Sequence, residues 1–155
     1  MTMTKNQQSK QAEELYIQVW RNPIFYGGLF TVLSPEDWQT LTALAMFMDQ
    51  NGVCYPSEKK LGQILGIKNT ASVSRRIARL ETKEYQNEVV LLVERGRKTN
   101  EKGVWVFTNN KYYLNPDIVS IFNPHPKTLS CREEQMEKFL QIRQKLVNSF
   151  SFNTK

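Results

Sequence analysis

Three arginines, Arg75, Arg76 and Arg79, sit in the run Thr70-Ala71-Ser72-Val73-Ser74-Arg75-Arg76-Ile77-Ala78-Arg79-Leu80. A guanidinium offers a planar fork of donors that matches the edge of guanine or a phosphate. Wound as a helix at about 100° per residue, the run puts Val73, Ile77 and Leu80 on one arc. Ala71, Ser72, Arg75, Ala78 and Arg79 fall on the opposite arc, with Ser74 and Arg76 at its flanks. Small residues allow close approach to base edges, arginine pairs with guanine, and hydroxyls and flanking arginines suit phosphate. A second cationic group, Arg97, Lys98 and Lys102, crowds a loop bounded by Gly96 and Gly103. Such a tip can rest on backbone phosphates or enter the minor groove. With the residues that lead into the helix, the candidate DNA contacts are Lys68, Asn69, Thr70, Ala71, Ser72, Ser74, Arg75, Arg76, Arg79, Arg97, Lys98 and Lys102. Arg75 lies nearest the N-terminal end and takes the base contact; Arg76 takes phosphate.

Other chemistry is poorly represented. His125, the sole histidine, stands between Pro124 and Pro126 and reads as a loop residue rather than an acid–base group. Cys54 and Cys131 form no C-x-x-C pair and are expected as reduced, packed thiols. There is no Walker loop, no dinucleotide glycine fingerprint and no cluster of metal ligands, so no enzyme, cofactor or metal is expected. Trp105, Phe107, Tyr112 and Tyr113 are of a type that stacks on unpaired bases. Alternating aromatics in a hairpin more commonly pack on helices, and that is the expectation for all four.

These residues need elements to position them. A short helix is expected over residues 11–20, ended by Asn22-Pro23. The apolar stretch Ile24 to Leu33 reads as an arm docked on the core. Ser34-Pro35-Glu36-Asp37 is a helix start, with a capping serine, proline in the first turn and two acids near the positive dipole end. Trp38, Leu41, Leu44, Ala45 and Met48 then recur on one face, and Asn51-Gly52 closes the helix. Val53 to Tyr55 is a short extended piece. Ser57 caps a second helix with Leu61, Ile64 and Leu65 inward. Gly66-Ile67 makes a tight turn into a third helix, about 69–83. Val89 to Val93 reads as a strand, residues 95–103 as a basic loop and Val104 to Thr108 as the return strand, with Lys111 to Leu114 continuing it or pairing nearby. Residues 115–129 read as an irregular connection with one helical turn at Asp117–Phe122. Ser130-Cys131-Arg132-Glu133 is a capping box. It opens a final helix whose stripe is Met136, Phe139, Leu140, Val147 and Phe150. That stripe can cover its own domain or pair with a second copy, and Arg143 in its midst is awkward for a purely buried face. The order helix, strand, helix, turn, helix, strand, basic loop, strand is that of a winged helix-turn-helix, an α+β fold. It divides the chain into a tail, short helix and arm (1–33), the winged domain (34–115) and a connection with a C-terminal helix (116–155).

The charge agrees with that division. The net charge of +6 lies wholly in residues 57–111, where twelve Lys and Arg face six acids. A polyanionic partner is the natural complement of such a surface. No apolar run approaches the ~20 residues of a membrane span, and Met1 to Lys10 has no signal-peptide core, so a cytoplasmic location is expected.

The run LSPEDWQTLTALAMFMDQNGVCYPSEKKLGQILGI, followed by TASVSRRIARLE and TNNKYYLNP, resembles winged helix-turn-helix domains of plasmid, phage and conjugative-element replication initiators of Gram-positive bacteria. The corresponding motifs here are Tyr55-Pro56-Ser57 opening the supporting helix, Leu65-Gly66-Ile67 at the turn and Val73 to Ile77 in the recognition helix. Two features depart from the pattern. The turn before Val73 is one residue longer, and Tyr85-Gln86-Asn87 stands where a glycine is usual. The resemblance covers about residues 34–115. It implies sequence-specific binding of double-stranded DNA by a replication-initiation or regulatory factor. The rival expectation is a winged-helix protein-interaction module within a replisome or conjugative transfer complex.

Overall fold

Local chemistry fixes the helix starts. In a computed structural model, which describes residues 15–122 and 131–152, Ser34 caps a helix spanning Pro35–Ala45. Its hydroxyl accepts from the Asp37 amide at 3.1 Å, and the Asp37 carboxylate accepts from the Ser34 amide at 3.0 Å. Ser57 caps Glu58–Leu65 by accepting from the Lys60 amide at 3.1 Å, without a return bond, and Asn69 caps Thr70–Glu81 by accepting from the Ala71 amide. Counting from the N-terminus, the helices are α1 (Arg21–Phe25), α2 (Leu29–Val32), α3 (Pro35–Ala45), α4 (Glu58–Leu65), α5 (Thr70–Glu81) and α6 (Arg132–Phe152). The strands are β1 (Tyr16–Val19), β2 (Val53–Cys54), β3 (Glu84–Tyr85), β4 (Glu88–Val89), β5 (Leu91–Glu94), β6 (Arg97–Thr99), β7 (Trp105–Phe107), β8 (Lys111–Leu114) and β9 (Val119–Phe122). Among the described residues this is a mixed α+β fold of six helices and four small antiparallel sheets.

The core lies where α3, α4 and α5 meet the sheet of order β2-β8-β5. Leu41, Leu44 and Ala45 of α3, Leu61 of α4, and Val73, Ile77 and Leu80 of α5 are all buried in it. The inward arc expected for α5 is therefore the one observed. Ile64 is an exception: α4 turns only Leu61 and Gly62 fully inward, and Ile64 is exposed.

The strands differ from the sequence expectation. The partner of β5 is β8, with Leu91 opposite Leu114 and Glu94 opposite Lys111. The Val104 to Thr108 segment pairs instead with β6, inside what reads as loop, to form a separate two-stranded ribbon. Gly96 marks the junction. A Cβ there would collide with the carbonyl of Asn109 and with Thr108, so only glycine lets the two strands cross this closely. The Val89 to Val93 strand is also interrupted at Val90, whose amide bonds back to the Lys83 carbonyl. A small hairpin, β3–β4, results. Its turn holds Gln86 and Asn87 at φ of 51° and 63°, the left-handed pair of a primed hairpin turn. The usual glycine is thus replaced by two strained residues.

Residues 16–19 are strand, not helix. Tyr16, Ile17 and Val19 pair in register with Phe122, Ile121 and Val119. β-branched and aromatic residues favour a pleated, half-buried surface, and the partner that supplies it lies a hundred residues away. The same pairing replaces the irregular segment and helical turn expected at Asp117–Phe122 by β9. The arm at Ile24 to Leu33 is two short helices, α1 and α2, with Leu29 and Leu33 buried. Pro23 does not interrupt α1 because it sits in the first turn, where its missing N–H has no helical partner.

α6 lies against its own sheet. Phe139 is buried with Leu92 of β5 and Tyr113 of β8, and Met136, Ile142 and Leu146 pack around it. The Gln135 amide donates to the Ile121 carbonyl at 2.7 Å and accepts from the Ile121 amide at 3.0 Å. One side chain thereby completes the free edge of β9. Arg143, awkward in an apolar stripe, bonds the Glu88 carboxylate. Leu140 and Val147 are exposed beyond this contact. His125, the Ser130 cap, the 1–10 tail and the Phe150 side chain lie outside the described residues. Both cysteines are free thiols, and burial pushes the Cys54 thiol well above its ordinary range. Among the described residues, no helix is long and apolar enough to cross a membrane, and no group of His, Cys, Asp and Glu could hold a metal ion.

Candidate nucleic-acid interface

The turn between α4 and α5 sets the geometry of the basic face. Gly66 ends α4 at φ 72°, a left-handed cap that a side chain resists. Asn69 then caps α5, so the connection between the two helices is confined to residues 66–69. Lys68, Asn69, Thr70 and Ala71 are exposed at the start of α5. Ser72 is half-buried, and its hydroxyl accepts from Arg75 Nη2 at 3.1 Å.

The arginines divide in a way the helical wheel does not show. Arg75 is exposed and makes no ion pair among the described residues. Arg76 donates to Gln39 Oε1 at 2.8 Å and lies 3.8 Å from Glu36. Arg79 reaches back to α3, with Nη2 2.7 Å from Glu36 and Nε 3.2 Å from Asp37. Lys83 adds a third cation, 3.7 Å from Asp37. Arg79 therefore fastens α5 to α3, although the wheel groups it with Arg75. Ser74 is likewise occupied: its hydroxyl donates to Glu58 Oε1 at 2.7 Å and ties α5 to α4.

Asp37 is the residue that sequence reasoning missed. It reads as a first-turn acid, yet it is 1 % exposed and holds two cations. Burial alone would raise its carboxyl. Hydrogen bonds from the Ser34 amide and hydroxyl and from Arg79, with the Lys83 charge, outweigh that and lower it below 3.8. No local signal foretells a pairing across 42 residues.

Removing the engaged cations leaves a clear remainder. Of the twelve in residues 57–111, Arg76, Arg79, Lys83 and Arg95 are in ion pairs. Lys59, Lys60, Lys68, Arg75, Arg97, Lys98, Lys102 and Lys111 are exposed and make none among the described residues. They belong to the start of α4, the α4–α5 turn, α5 and the ribbon β6–β7 with its base. Lys59, Lys60 and Lys111 are additions to the sequence-derived set. The first two had a readable signal: lysines in a helix first turn oppose the macrodipole, so helix stability does not account for them.

The four aromatics also divide. Tyr112 and Tyr113 are buried, as expected, but Trp105 and Phe107 stand 70 % and 85 % exposed on the ribbon. The ribbon leaves the sheet at Gly96, and Phe107 borders a cleft shared with Ser57 and Glu58 at the start of α4. In comparisons with known proteins, no family model, no curated protein and no solved structure matches this chain.

Proposed function

We propose that the chain binds double-stranded DNA as a winged helix-turn-helix, with α4 as supporting helix, α5 as recognition helix and the β6–β7 ribbon as wing. The observation that carries the reading is the set of eight exposed cations, distributed over α4, the turn, α5 and the ribbon, that make no ion pair among the described residues. Arg75 enters the major groove with Ala71, Ser72 and Ala78 beside it, small enough to let the helix approach. Lys59, Lys60 and Lys68 meet phosphates on one side, and Arg97, Lys98 and Lys102 on the other. Arg79 and Ser74 hold α5 at its angle to α3 and α4. On the strength of the sequence resemblance, the role is replication initiation or regulation on a mobile element.

A salt titration of binding to random duplex tests this. With about six cations on phosphates, log K falls against log salt with a slope near −5 to −6. A slope flatter than about −2 would sink the reading and leave a winged-helix protein-interaction module within a replisome or transfer complex.

A further inference from the structure

The duplex reading makes no use of the two rings on the ribbon. The register sets Phe107 opposite Arg97, Val106 opposite Lys98 and Trp105 opposite Thr99. Directly opposed residues share a face of an antiparallel pair. One face therefore carries Trp105, Phe107, Arg97 and Thr99; the other carries Lys98 and Val106. The Arg97 guanidinium lies 6.0 Å from the Phe107 ring centroid, and Trp105 has no ring contact among the described residues.

Exposed rings of this size, side by side, mark a surface that meets something. The charge around them says what. Arg97, Lys98 and Lys102 are exposed and make no ion pair among the described residues, against the single carboxylate of Glu101 in the same loop. Protein-binding cores are depleted in lysine, whereas aromatic rings set among cations are the pattern of single-strand platforms. The spacing fits as well. Residues two apart on a strand are separated by about 6.7 Å, close to twice the roughly 3.4 Å rise of stacked bases. Two such rings can hold one flat base between them.

We propose that Trp105 and Phe107 stack on unpaired bases, so that the wing captures single-stranded DNA beside the duplex held by α5. The inference rests on the duplex-binding reading and adds to it a preference for junctions between duplex and single strand. The test compares a blunt duplex with the same duplex carrying an unpaired tail, using the full-length chain, the double variant Trp105→Ala/Phe107→Ala and the conservative Trp105→Phe. The wild type should bind the tailed duplex about 10- to 100-fold more tightly. The double variant should lose that preference while keeping its affinity for blunt duplex, and Trp105→Phe should retain most of it. Equal wild-type affinity for the two probes overturns the inference and leaves duplex binding standing. A double variant equally weakened on both probes also overturns it, in favour of a wedge inserted into the duplex. A lower melting temperature in the double variant contradicts the exposed placement on which the argument depends. Binding of neither probe removes the duplex reading together with the inference.

Discussion

Replacing Asp37 by asparagine removes one negative charge at nearly constant shape from a position that is 1 % exposed. The amide can still accept the Ser34 N–H, so the cap of α3 is largely kept. What is lost is the charge-assisted bond to Arg79 and the attraction of Lys83, 3.2 and 3.7 Å away. Hydrogen bonds to charged groups contribute about 1.5–3 kcal/mol. The 3–5 kcal/mol typical of breaking a fully buried pair does not apply, because the Arg79 and Lys83 side chains are 45 % and 29 % exposed and can turn to water. The expected loss is therefore about 2 kcal/mol at neutral pH, or about 6 °C in melting temperature for a domain of this size. The pH dependence follows from the lowered carboxyl. A group held below its unfolded value stabilises the fold fully above that value, near 3.9, and the contribution disappears as pH falls through the folded one. Urea titrations of wild type and Asp37→Asn should thus differ by a constant amount from about pH 7 to 5 and converge below about pH 4. A difference that persists undiminished at the acid end, or no difference at neutrality, would refute the role assigned to Asp37.

Other outcomes follow from the same geometry. Arg75→Ala should cost about 1–3 kcal/mol on a selected DNA site, relax preference at one base pair and leave the melting temperature unchanged; equal weakening on random duplex would remove the base contact. Arg79→Ala should do the reverse, lowering thermal stability with little loss of DNA affinity, which paired melting and binding curves would show. Asn87→Gly should stabilise by about 0.5–1 kcal/mol, because glycine adopts the left-handed turn without strain; a denaturant midpoint that falls instead would contradict that turn geometry. Phe139→Ala should destabilise by about 3 kcal/mol by uncovering Leu92 and Tyr113. Leu140→Lys, on the exposed side of α6, tests whether the helix also joins two copies: a drop in mass by light scattering with an unchanged melting temperature would mean that it does.

The sequence by itself determined the parts whose signals are local. Ser34, Ser57 and Asn69 begin helices because their side chains bond amides two or three residues on. Val73, Ile77 and Leu80 face inward because the helical period leaves them no other shared side. The segregation of charge into residues 57–111 is likewise legible in composition. Tertiary structure decided whatever depends on a distant partner. Tyr16 to Val19 is a strand only because Val119 to Phe122 comes alongside, and Gln135 completes that strand from a third segment. Val104 to Thr108 carries strand propensity but no information about whether β5 or β6 will pair with it; the crossing at Gly96 settles that. Arg75 and Arg79 are equivalent on a helical wheel, one turn apart on the same arc. They separate because α3 packs beside one end of α5 and places Glu36 and Asp37 within reach of Arg79, leaving Arg75 at the open end. A wheel records direction around one axis, whereas the fate of a long charged side chain depends on which carboxylate the fold brings within about 4 Å.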